Sequence, residues 1–159
     1  CVVSCPPGQV ACGGSCVDGG SLSCGTRIDL GTVGAGTSTG TELRRLPSPG
    51  QEDWFLVRFP ENPDVRRHGT GTPRIRFTTN EGNVFRMDVI ASCGASGMPC
   101  GSGEGANSRT DWSFVDSCLR SGRNDCRSRR TAWPTTALVR VHRVTGGADC
   151  RRYALSISR

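Results

Sequence analysis

The chain has 159 residues, with ten cysteines, 22 glycines, nine prolines, twenty arginines, no lysine and fourteen acids, for a net charge of +6. No apolar run approaches the roughly 20 residues of a helical membrane span, so no transmembrane segment is expected. Ten cysteines beside only two histidines, with no Cys-x-x-Cys pair, argue against zinc or haem and for a disulfide framework. That places the chain in an oxidising compartment, extracellular or on a cell surface. Without lysine no Lys–Asn isopeptide staple can form, so any covalent cross-link must run through cysteine. The positive charge suits an anionic partner, but arginines facing outward from strands account for it equally well, and no specific nucleic-acid partner is expected.

Residues 1–25 read Cys1-x3-Cys5-x6-Cys12-x3-Cys16-x7-Cys24, with turns at Pro6-Pro7-Gly8 and Gly13-Gly14. Too short to bury a core, this part reads as a loop-rich knot held by disulfides, each worth about 2–4 kcal/mol. Residues 26–159 are long enough for a domain of their own. Within them, residues 31–41 (GTVGAGTSTGT) are a small-residue stretch, read as a linker or flat strand edge, with O-glycosylation the alternative.

Strand signals then follow at regular spacing. Asp53–Phe59 is the expected central strand, with Phe55, Val57 and Phe59 on one face and Trp54 and Leu56 on the other, so both faces should be covered. Ile75 and Phe77 point inward between Arg74, Arg76 and Thr78; Phe85, Met87 and Val89 do so beside outward Arg86 and Asp88, which are placed to pair across strands. Trp112 and Phe114, then Val139 and Val141, then Tyr153, Leu155 and Ile157 continue the period of two. Such patterning without a helical stretch argues an antiparallel β-sandwich.

The segment Cys5–Asp18 resembles the short cysteine-rich repeats of secreted proteins from myxobacteria and similar GC-rich bacteria. That resemblance implies that Cys1 belongs to a junction inside a larger, trimmed precursor; the alternative, apart from the resemblance, is the acylated first residue of a lipoprotein. The order Asp53-Trp54-Phe55-x-Val57-x-Phe59, Phe85-x-Met87-x-Val89, Leu138-Val139-x-Val141 and Tyr153-x-Leu155-x-Ile157 resembles the bacterial pre-peptidase C-terminal (PPC) domain over residues 26–159. The resemblance implies a jelly-roll-like sandwich that helps attachment, secretion or substrate contact without catalysis of its own. The chain departs from it through cysteine-bearing insertions at 91–110 and 117–131 and lacks the acidic, glycine-rich turn, so a family-type calcium site is not carried over.

For chemistry, His68 lies in a loop and His142 on a strand's polar face; neither has a nucleophile motif nearby, and both read as solvated. Asp111 and Asp116 read as turn residues rather than paired catalytic acids. Asp18, Asp111, Asp116 and Asp125 could give oxygens to calcium, but show no EF-hand or RTX spacing, so no cofactor is expected. If Cys118 and Cys126 bridge, Arg120, Arg123, Arg127, Arg129 and Arg130 are displayed from one constrained loop, a candidate anion site for acidic glycan, lipopolysaccharide or DNA. The bland alternative is a soluble basic loop.

The cysteines divide into Cys1, Cys5, Cys12, Cys16 and Cys24, and Cys93, Cys100, Cys118, Cys126 and Cys150, an odd number in each half. Either one disulfide staples the knot to the sandwich, with Cys24 joining a cysteine such as Cys150, or each half leaves one thiol for another molecule. In the second case Cys1 is the reactive end of an open polymer. The expected protein is an all-β, jelly-roll-like antiparallel β-sandwich with a small disulfide-rich N-terminal knot. Its expected role is a non-catalytic secreted or cell-surface structural or adhesion module, self-assembling into a fibre with copies of itself. The alternative is an accessory domain that binds polysaccharide or another anionic surface for a secreted enzyme.

Overall fold

A computed structural model describes residues 4–7, 9–18, 22–60, 72–94, 107–114, 134–146 and 149–159. Cys1, Cys100, Cys118, Cys126, His68, Asp116, Asp125, the Asp18 side chain and the five arginines between 120 and 130 lie outside that description.

The N-terminal part is a hairpin of β1 (Gln9–Cys12) and β2 (Ser15–Asp18), with Ala11 opposite Cys16. Its two-residue turn needs positive φ at both positions, which Gly13 (φ 59°) and Gly14 (φ 86°) supply. Cys5–Cys16 closes the hairpin on the segment before it.

The rest forms two facing sheets from β3 (Ile28–Thr32), β4 (Ser38–Gly40), β5 (Arg44–Arg45), β6 (Glu52–Arg58), β7 (Arg74–Asn80), β8 (Phe85–Ile90), β9 (Asp111–Ser113), β10 (Thr136–Arg143) and β11 (Arg152–Ser158). One sheet runs β3-β6-β10-β8; the other runs β4-β11-β7-β9, with β5 also pairing β11. The all-β sandwich expected from the patterning is borne out. One pair departs from the antiparallel rule: β3 lies parallel to β6, with Ile28 opposite Phe55. A parallel pair needs a crossover, and here the crossover passes through the opposite sheet as β4 and β5. The small-residue stretch is thus partly a sheet edge. An added Cβ on Gly40 would stand 2.6 Å from the Leu155 carbonyl oxygen, so only glycine lets β4 lie this close to β11.

Alternation does the folding work. Phe55, Val57, Met87, Val89, Val139 and Val141 from one sheet meet Ile75, Trp112, Tyr153, Leu155 and Ile157 from the other in a single buried core. Burying each such side chain contributes about 1.5–3 kcal/mol. A smaller cluster on the outer face of the first sheet joins Trp54, Ile90 and Leu138 to Leu22, Cys24 and Leu56. The central strand is therefore covered on both sides, as its sequence requires.

Two inner-face positions carry charge. Asp53 is 0% exposed and accepts hydrogen bonds from Tyr153 Oη (2.5 Å) and from Arg44 Nε and Nη2 (2.7 and 3.0 Å), which ties the two sheets together. Arg143, its side chain fully buried, donates to both Asp149 oxygens (2.8 and 2.5 Å) and to the Leu46 carbonyl (3.3 Å), closing one end of the core.

The disulfide pairing differs from the expected one. Cys24 joins Cys93 (Cα–Cα 6.0 Å) and Cys12 joins Cys150 (Cα–Cα 5.5 Å), so among the described residues two staples, not one, fix the N-terminal part to the sandwich. The strand register explains it. Cys24 packs beside the Leu56–Leu138–Ile90 row, near the start of β10 and the end of β8, where Cys93 follows. Cys150 comes after the far end of β10, beyond the reach of Cys24.

Candidate functional site

The outward residues of β6, β10 and β8 form a grid set by register. Leu138 lies between Leu56 and Ile90, Arg140 between Trp54 and Asp88, and His142 between Glu52 and Arg86. Leu22 and Cys24 pack on the apolar row. Trp54, Asp88, Ile90, Arg140 and His142 of this grid line a pocket of about 380 Å³, with Gly94 and Asn107 completing its wall.

Asp88 is its fixed point, 3% exposed. Arg140 donates to Oδ2 through Nε (2.9 Å) and Nη2 (2.5 Å), and the Ser108 backbone N–H donates to Oδ1 (2.7 Å). The expected cross-strand pairing of Asp88 is thus made, with Arg140 as partner. Arg86 instead turns to the Asn83 and Phe85 carbonyls at 3.0 and 2.7 Å. The Arg140 guanidinium also lies over the Trp54 ring, 5.7 Å from its centroid, which fixes the side chain from below. Ser108 adopts φ 57°, a left-handed conformation unfavourable to a residue with a Cβ, and thereby presents its N–H to the carboxylate. Reciprocal bonds of 2.8 Å between Met87 and Arg109 hold this segment to the open side of β8. Local strain over-determined by its surroundings is common at binding sites.

His142 is not solvated, as its strand position suggested. Its side chain is 25% exposed; Nδ1 is buried, stands 3.6 Å from Asp88 Oδ2 and has no hydrogen-bond partner among the described residues. Burial lowers its pKa, with the Asp88 carboxylate opposing and Arg140 reinforcing the shift, so the ring is neutral at pH 7. With Nδ1 facing a carboxylate, the proton belongs on Nδ1, and Nε2 is left as an acceptor.

Of the other candidates, Asp111 sits on β9 rather than in a turn, and Arg74 donates to both its oxygens, through Nε at 3.0 Å and through Nη2. Its oxygens are committed to that pair. No group of three or more His, Cys, Asp or Glu that could hold a metal occurs among the described residues, and none of their helices is long and apolar enough to cross a membrane. Sequence reading singled out Asp88 and His142 separately but could not join them. The signal lay in their shared outward parity; the register that makes them neighbours is a property of the fold.

No family model, curated protein or solved structure matches this chain.

Proposed function

We propose that this chain is a non-catalytic adhesion module of the cell exterior, attaching to a surface through the polar pocket on its four-stranded sheet. The carrying observation is the pocket itself: a buried Asp88 that immobilises the half-exposed Arg140, and a neutral His142 with an unsatisfied nitrogen, on a face where Leu22 and Cys24 cover the neighbouring apolar row. Such preorganised polar groups suit recognition. Non-catalytic action is supported by the described lining residues, which include no hydroxyl or thiol beside the imidazole. The three disulfides among the described residues support an exterior location. Under this reading the pre-peptidase-like, jelly-roll-like resemblance would also be one of attachment.

The test is retention on insoluble cell-envelope polysaccharide, comparing wild type with His142→Ala and confirming the fold of both by near-ultraviolet circular dichroism. Retention of wild type and at least tenfold weaker retention of the variant are expected. Equal retention, or soluble sugar released over time by wild type alone, would overturn the reading.

A second reading is assembly of copies into a fibre, in which an odd cysteine of each half would bond to another copy. The three bridges among the described residues use six of the ten cysteines; the other four, Cys1 in the first half and Cys100, Cys118 and Cys126 in the second, lie outside the described residues.

A further inference from the structure

We infer that the pocket takes a single neutral sugar unit, gripped through its hydroxyl groups and not by stacking on an aromatic ring; this rests on the adhesion reading above. Charge decides against an ionic ligand. The described residues that line the pocket carry one acid, Asp88, and one arginine, Arg140. Asp88 is matched by Arg140, which also lies 3.6 Å from Glu52. Arg86, which bonds neutral oxygens of Asn83 and Phe85, stands outside that lining; among the described lining residues a ligand carboxylate would therefore find no unpaired cation, and a ligand ammonium no unpaired anion.

The hydrogen-bonding inventory points to hydroxyls. Asp88 engages Nε and Nη2 of Arg140, so Nη1 is left as a donor. His142 Nε2 is an acceptor, and the Asn107 amide supplies one of each. Arg140 and His142 are two residues apart on one strand, so their side chains stand about 7 Å apart on the same face. Neighbouring hydroxyls, each able to donate and accept, can serve both at once. The pocket volume of about 380 Å³ lies at the lower end of the roughly 300–1,000 Å³ of small-molecule sites, enough for one ring and too little for a long stretch of chain. Trp54 is only 7% exposed and lies beneath the Arg140 guanidinium, so it offers no open platform. Recognition is therefore end-on, of a terminal or branch sugar.

Saturation-transfer NMR and calorimetry on the disulfide-bonded protein test this with methyl glycosides of glucose, galactose and mannose, and with glucuronate and galacturonate. At least one neutral glycoside should bind at millimolar strength, with less than twofold change between 50 and 500 mM NaCl. His142→Ala and the glycoside lacking the contacted hydroxyl should each weaken binding at least tenfold, and that glycoside should elute the protein from polysaccharide. Tighter binding of a uronate, or affinity falling steeply with salt, overturns the inference. If His142-dependent retention persists but no neutral glycoside binds or elutes, the sugar assignment fails while the adhesion reading stands. If wild type is not retained at all, both fail.

Discussion

Asp53 occupies a position where the alternation of its strand asks for an apolar side chain, since it shares the inner face with Phe55, Val57 and Phe59. Its charge is tolerable only because Arg44 and Tyr153 supply three hydrogen bonds. Burial and the adjacent carboxylate push the Tyr153 hydroxyl well above its ordinary pKa, so it stays protonated and donating. Tyr153→Phe should cost about 1.5–3 kcal/mol, the worth of a hydrogen bond to a charged group. Arg44→Ala, which leaves the carboxylate without its counter-charge, should cost about 3–5 kcal/mol; urea unfolding at pH 7 measures both. His142 offers the opposite case. Its buried Nδ1 has no hydrogen-bond partner among the described residues, so His142→Leu should hold or raise the melting temperature while abolishing retention, as a residue kept for binding would. Because the folded pKa is lowered, the unfolded chain binds more protons than the native one as pH falls below about 6.5. Wild type should therefore lose stability from there down towards the lowered folded value, and His142→Leu should lose that slope. The position of Asp53 on an apolar parity was visible in the sequence; that it would find an arginine and a tyrosine from the other sheet was not.

At the level of elements, the inward and outward faces of β6, β7, β8, β10 and β11 were legible, because a period of two is a local property that burial enforces. So was the Gly13-Gly14 turn. Strand neighbours were not, because nothing local tells β3 that it will run parallel to β6. The same ignorance misassigned Cys24, whose closeness in sequence to β3 carries no information about β8 at the sheet's other edge. The bridges should differ in weight. Cys24–Cys93 closes 69 residues and Cys5–Cys16 closes 11; on the chain-entropy account these are worth about 4.4 and about 2.8 kcal/mol. Paired serine replacement at Cys24 and Cys93 should lower the unfolding midpoint more than at Cys5 and Cys16. It should also expose the Trp54 cluster, which a rise in tryptophan quenching by acrylamide would report. Equal shifts would mean that Leu22 and the segment around it hold their place without the bridge.

For the whole molecule, the expected result of unreduced, alkylated mass measurement is one unlabelled species ten hydrogens lighter than the reduced chain, with all ten cysteines paired internally. Multiples of that mass would favour the fibre instead. A different consequence follows from the bridge between Cys12 and Cys150, which spans 138 positions. Tension entering the chain ahead of Cys12 and leaving beyond Cys150 is shunted through sulfur. The 137 residues between are mechanically out of circuit, withholding about 450 Å of contour at roughly 3.3 Å per residue. Beyond the bridge β11, clasped between β4, β5 and β7, lies in the direct line of pull, loaded along its length like a bolt in a sheath. A tether built this way would stay short under load and lengthen abruptly once reduced, its reach governed by the thiol chemistry around it.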